Sequence, residues 1–170
     1  MHNGFISNFQ NIRRSLLAEL SESSFNMIAG STDSELLFGL FLDALKTQSS
    51  QGCESMGQAL QQAIETVERV NREAGCTDNS LLNLAVTDGY EMAVTRYITD
   101  GSAGANTLYH HQGRSYTCVD GVCQMSPAED AADVVLIASE PLSDHSQWTQ
   151  VSPNHLLLVN RDLSVRTVGM

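Results

Sequence analysis

The sequence holds no apolar run long enough to cross a membrane. Its longest apolar-rich stretch, 36–45, falls well short of the about 20 residues a spanning helix needs. Basic residues are scarce: nine Lys and Arg stand against 20 Asp and Glu, a formal net charge of −11 with a pI near 4.6. A surface of that sign repels phosphate backbones and anionic lipid, which argues against nucleic acid and membranes as partners. The acids are dispersed and form no run, as on an ordinary solvated surface. No targeting segment and no internal repeat is recognisable, so the expected compartment is the cytoplasm.

Cysteine is sparse too. Of the four, Cys53 falls in a polar loop and Cys76 follows Gly75, a glycine suited to ending a helix. Cys118 and Cys123 bracket Val119-Asp120-Gly121-Val122, which reads as a hairpin turn. A disulfide fits there geometrically, but a reducing cytosol disfavours it. His110, His111, Cys118 and Cys123 match no paired-ligand spacing, so neither a metal nor another cofactor is expected.

What is present is one domain's worth of chain, 170 residues, with helical periodicity first and strands after. Helices are expected over 9–20 (Asn8 as N-cap), 36–46 and 56–74, the second apolar nearly all round and therefore buried. Strands are expected over 82–87, 92–98, 107–110, 115–119, 134–139, 155–160 and 164–168. A mobile loop is expected over 99–106 and an acidic, proline-containing loop over 126–133. Asp88-Gly89 reads as a hairpin turn, and Phe25 and Trp148 as packing residues. Arg96 on its strand is either a buried partner for a carboxylate or a surface residue. This order of elements predicts an α+β layered domain.

Two clusters carry chemistry. Asn3-Gly4 offers a carboxamide N–H and a backbone N–H, the two kinds of donor that stabilise an oxyanion when fixed beforehand. The same dipeptide is also a common hairpin turn. In Gly30-Ser31-Thr32-Asp33-Ser34-Glu35, Thr32 and Glu35 have capping-box spacing, with Glu35 reaching back. Asp33 then occupies the first helical turn, either as a charge matched to the helix dipole or as a ligand for a cation.

Together, His2-Asn3-Gly4 and Gly30-Ser31-Thr32-Asp33-Ser34-Glu35-Leu36-Leu37-Phe38 resemble the class II glutamine amidotransferases, which are N-terminal-nucleophile hydrolases. Further likenesses run through Asn83-Leu84-Ala85-Val86-Thr87-Asp88-Gly89, Thr95-Arg96-Tyr97, Ala138-Ser139-Glu140-Pro141-Leu142 and Trp148. They are similar to the branch containing the amidotransferase-like subunit of the Dug complex, which degrades glutathione. The resemblance implies a four-layer αββα fold and hydrolysis of glutamine or a γ-glutamyl amide. It also implies a peptidase-like partner subunit. It makes Asn3 and Gly4 the oxyanion hole and Asp33 the carboxylate for the substrate's α-ammonium, with Ser31 and Thr32 shaping the same pocket. These groups are therefore expected to face one cavity, and His2 to pack beside it.

The family's nucleophile is a cysteine at the mature N-terminus, whereas residue 2 here is His2. The chain therefore resembles the later portion of the domain, residues 1–170, with its front missing. On that expectation the fold is incomplete, leaving sheet edges and apolar helix faces exposed. Two readings stay open. One is an amide hydrolase whose nucleophile lies outside these residues. The other is a non-catalytic truncated paralogue acting as an interaction protein.

Overall fold

The computed structural model describes residues 1–100, 104–128 and 132–170. The longest helix, α4 (Gly52–Glu73), forms on helical spacing of Met56, Leu60, Ile64 and Val67, all buried on one face, and stops just ahead of Gly75. Gly57 lets that face approach the sheet closely, because a Cβ there would run into the side chains of Leu156 and Leu158. Before it come α1 (Phe9–Ala18), a short α2 (Glu22–Phe25) and α3 (Asp33–Lys46). α3 opens as expected at Thr32, whose Oγ1 accepts from Glu35 N at 3.3 Å. The returning half of the capping box differs. The Glu35 carboxylate goes to the amides of Ala29 and Gly30, fastening the preceding loop.

Among the described residues ten strands follow or flank the helices: β1 (His2–Phe5), β2 (Leu81–Thr87), β3 (Met92–Arg96), β4 (Tyr109–Gly113), β5 (Ser115–Val119), β6 (Val122–Ser126), β7 (Val134–Ala138), β8 (Thr149–Gln150), β9 (His155–Val159) and β10 (Val165–Gly169). One antiparallel sheet has the order β1-β2-β3-β9-β10 and a second β7-β4-β8, while β5 and β6 form a hairpin. The period-two alternation of strands separates two cores. Leu82, Leu84, Leu156 and Leu158 face α1, α3 and α4. Leu157 and Val94 face the second sheet, meeting Leu108, Val151 and Ile137. The layers are thus helix, sheet, sheet. Among the described residues α1 to α4 lie on one side, and only a 3-10 turn, His145–Gln147, flanks the second sheet. The α+β class stands as expected.

Several local expectations are corrected. Asn3-Gly4 lies in strand β1 and not in a hairpin turn, because its ladder partner is β2, some 80 positions away. The third expected strand sits two residues later, at Tyr109–Gly113, and β6, β8 and α2 were not foreseen. Asn8 is the N-cap of α1 as expected, but from the left-handed region, its Oδ1 accepting from Asn11 Nδ2 and not from a helix backbone N–H. α3 is not buried all round, since Phe38 is 52% exposed, and Phe25 is exposed while Trp148 is buried. Cys118 and Cys123, directly opposite across the β5–β6 hairpin, are joined as a disulfide. The loops expected over 99–106 and 126–133 fall partly on 101–103 and 129–131, outside the described residues. No described helix is long and apolar enough to cross a membrane.

Candidate active site

The site is built on the outermost strand of the larger sheet. Met1 donates its amino group to Ala85 O (2.8 Å), and Ala85 N donates back to Met1 O (2.9 Å). Bonded pairs alternate along an antiparallel ladder, so the next ones are Asn3–Asn83 and Phe5–Leu81. Leu82 obeys the same alternation. Its N–H goes to Tyr97 O (2.9 Å) and its carbonyl accepts from Thr95 Oγ1 (2.7 Å), both on the β3 side. Gly4, opposite Leu82, therefore turns its N–H to the open edge of the sheet. Only glycine fits there: φ is +150°, and a Cβ would overlap the carbonyl oxygen of Leu81.

Alternation also divides the side chains of β1. Asn3 shares a face with Asn83 and lines a cavity of about 610 Å³ between the two sheets, with Val94, Leu108, Ile137 and Ser139. Its carboxamide bonds to no described residue. His2 lies on the other face, against α3. Asp33 reaches the same strand end, its Oδ2 accepting from Ile6 N at 3.1 Å and its Oδ1 from Ser34 N at 2.7 Å. The fold thus brings Asp33 beside the strand that carries Asn3 and Gly4. The inter-sheet cavity takes Asn3 but not Asp33, Thr32 or Ser31. Thr32 serves as the α3 cap, and Ser31 is exposed beside it.

Residues 1–169 match the family model of the class-II glutamine amidotransferases. This chain belongs to that family. It is 35% identical to the probable glutamine amidotransferase DUG3 of Saccharomyces cerevisiae, over 95% of this chain and 49% of that protein. It therefore spans about half the length of that curated relative. In fold it is similar to a glutamine aminotransferase class-II domain protein from Silicibacter pomeroyi (TM-score 0.75, 24% identity), all of this chain covering 66% of that one. It is also similar to a predicted glutamine amidotransferase from Pseudomonas aeruginosa (TM-score 0.60, 18% identity), with 59% of that chain covered.

Around the site, this amidotransferase chain carries an internal polar scaffold that the sequence did not reveal. Asn83 Nδ2 donates to the carbonyls of Asn106 (3.2 Å) and Thr107 (3.1 Å), and its Oδ1 accepts from Tyr97 N. Arg96 is neither at the surface nor paired with a described carboxylate. It is buried, and its guanidinium donates to the carbonyls of Asn106, Val151 and Ala105. Burial works against its charge and lowers its pKa. Both side chains end on Asn106 O, so Asn83 on β2 and Arg96 on β3 fasten the same 105–107 segment to the sheet. Strand register alone makes this arrangement, which no spacing motif encodes.

The thiols are engaged away from Asn3. Cys53 is buried at the start of α4, donating to Asn160 Oδ1 at 3.1 Å, while Glu91 holds its backbone N–H. Burial, and then the Glu91 charge, push this thiol's pKa up. Cys76 lies 3.6 Å from Ser7 Oγ, and no cysteine lines the inter-sheet cavity. His110 and His111 both have lowered pKa values, mainly through burial, and His111 meets the edge of Trp148 at 5.4 Å. Among the described residues no group of three or more His, Cys, Asp or Glu is placed to hold a metal ion.

Proposed function

We propose that these residues form the later portion of a single amidotransferase domain that hydrolyses the side-chain amide of glutamine or a γ-glutamyl compound, glutathione among them. The observation that carries this reading is a pair of donors on β1: the edge-facing N–H of Gly4 and the carboxamide of Asn3, which bonds to no described residue. Both suit an oxyanion that develops as a thiolate attacks the amide carbon. Asp33, fixed by Ile6 and Ser34, would take the substrate's α-ammonium through a charge-assisted hydrogen bond. Ser31 and Thr32 would border that end. The nucleophile would come from outside these 170 residues, as the engagement of the four cysteines supports. A peptidase-like partner subunit and a cytoplasmic setting belong to the same proposal.

The test is release of L-glutamate by the product of the whole reading frame, with ammonia as the second product from L-glutamine and cysteinylglycine as the second product from glutathione. Asn3→Ala should lower kcat about 10²-fold or more, the usual cost of one oxyanion donor. Asp33→Asn should mainly raise KM. A kinetically silent Asn3→Ala would remove the oxyanion assignment. No glutamate from either substrate with the unaltered protein would leave the non-catalytic, interaction-protein reading.

A further inference from the structure

His2, expected only to pack, makes polar contacts in two directions. Its side chain is 3% exposed. Nδ1 lies 3.0 Å from Ser34 Oγ and 3.9 Å from Asp33 Oδ1, and Nε2 lies 3.4 Å from Leu81 O. A carbonyl oxygen only accepts, so Nε2 carries the ring proton. Nδ1 then faces the Ser34 hydroxyl, whose single proton is shared between Nδ1 and Asp33 Oδ1 at 3.3 Å. Asp33 Oδ1 keeps the Ser34 backbone N–H at 2.7 Å.

The two partners belong to different halves of the site. Leu81 O is the atom that a Cβ on Gly4 would strike, so it sets where the Gly4 backbone lies. Ser34 adjoins Asp33 and shares its first helical turn. One ring thus touches the atom that seats the oxyanion donor and the residue that seats the carboxylate. We propose that His2 is a positioning residue that holds the oxyanion strand and the ammonium-binding turn in fixed relation, which rests on the amide-hydrolase reading above. Its effect is separable. The Nε2 contact acts on Gly4 and hence on turnover, and the Nδ1 contact acts on Asp33 and hence on substrate binding.

Two isosteric variants divide the contacts, because a Gln amide overlays Nε2 and an Asn amide overlays Nδ1. In glutamine hydrolysis by the whole protein, His2→Gln should keep kcat and raise KM about 10-fold, the upper range for one hydrogen bond. His2→Asn should keep KM and lower kcat by a similar factor. Equal changes in both parameters for both variants would overturn the proposal. A second measurement does not need activity: thermal unfolding of His2→Ala, Ser34→Ala and the double variant. The double variant should melt within about 1 °C of the less stable single, as for coupled neighbours. Additive losses would overturn the clamp even if the protein released no ammonia. Loss of the hydrolase reading alone would show instead as an inactive parent with the coupling intact.

Discussion

Gly4→Ala tests the fold and the site with one methyl group. The backbone at Gly4 has φ +150°, a region that side chains rarely adopt, and the added Cβ would overlap Leu81 O. The neighbour it meets is backbone in the middle of a sheet, so it cannot swing away as a flexible side chain would. Sparsely populated backbone geometry costs about 1–3 kcal/mol, and forced overpacking about 1–3 kcal/mol more. The sum, about 2–6 kcal/mol, is a large part of the about 5–15 kcal/mol that holds a domain together. At about 2–4 °C per kcal/mol for a domain of this size, Tm should fall by roughly 5–20 °C. A cheaper escape exists, because β1 is an edge strand and can peel from β2. Hydrogen exchange distinguishes the two outcomes. Peeling would deprotect the Asn3, Phe5 and Ile6 amides while α4 and β9 stayed protected. Global loss would lower Tm with uniform exchange. An unchanged Tm with β1 still protected would refute the reasoning and show that Leu81 can move aside at little cost.

Two further predictions concern groups outside the site. Asp43 docks α2 onto α3, accepting from Ser21 N and Oγ, Ser24 Oγ and Lys46 Nζ. Burial alone would raise its pKa, but the Lys46, Ser21 and Ser24 bonds outweigh it and hold the carboxyl well below the usual range. Its stabilising contribution is therefore complete above the ordinary aspartate value of about 3.9 and lost as pH falls below it. Asp43→Asn should lower stability by about 1–3 kcal/mol at neutral pH, and its deficit should shrink in acid melts. Arg96→Met would leave the carbonyls of Ala105 and Val151 without that donor, while Asn106 O keeps Asn83 Nδ2, at about 1–3 kcal/mol for each buried group left unpaired. The urea midpoint should drop sharply, and a midpoint within error of the parent would show that water or other donors replace the guanidinium.

The parts of the fold legible in the sequence are those whose reasons are local. The core of α4 shows through because Met56, Leu60, Ile64 and Val67 repeat at helical spacing. Its true start, at Gly52, does not, because the first turn is fastened by Glu91 from another element. Thr32 was legible as a cap for the same local reason. The destination of the Glu35 carboxylate, at Ala29 and Gly30, depended on how the loop curls. β4 begins at Tyr109 and runs through His110, His111 and Gln112, a stretch with no apolar alternation to mark it. Asn3-Gly4 shows the limit most directly. Taken locally it is a turn, and only pairing with Leu82 and Asn83 far along the chain makes it a strand.

The same division runs through the site. Asn3, Gly4 and Asp33 stood out because each brings a functional group of its own in a motif. His2, Asn83 and Arg96 work through backbone carbonyls at Leu81, Asn106, Thr107, Ala105 and Val151. Every residue has a carbonyl, so such a partner leaves no trace in composition or spacing. It becomes specific only when the register of β1, β2 and β3 decides which oxygen faces which donor. Arg96 carries this furthest. The sequence leaves Arg96 as either a carboxylate's buried partner or a surface residue, yet it is buried with no described carboxylate, which is tolerable because three fixed dipoles replace the counter-ion. The requirement for Arg at position 96 is thus set by the loops that end at Asn106 and Val151, and changing those loops should remove it even with β3 intact.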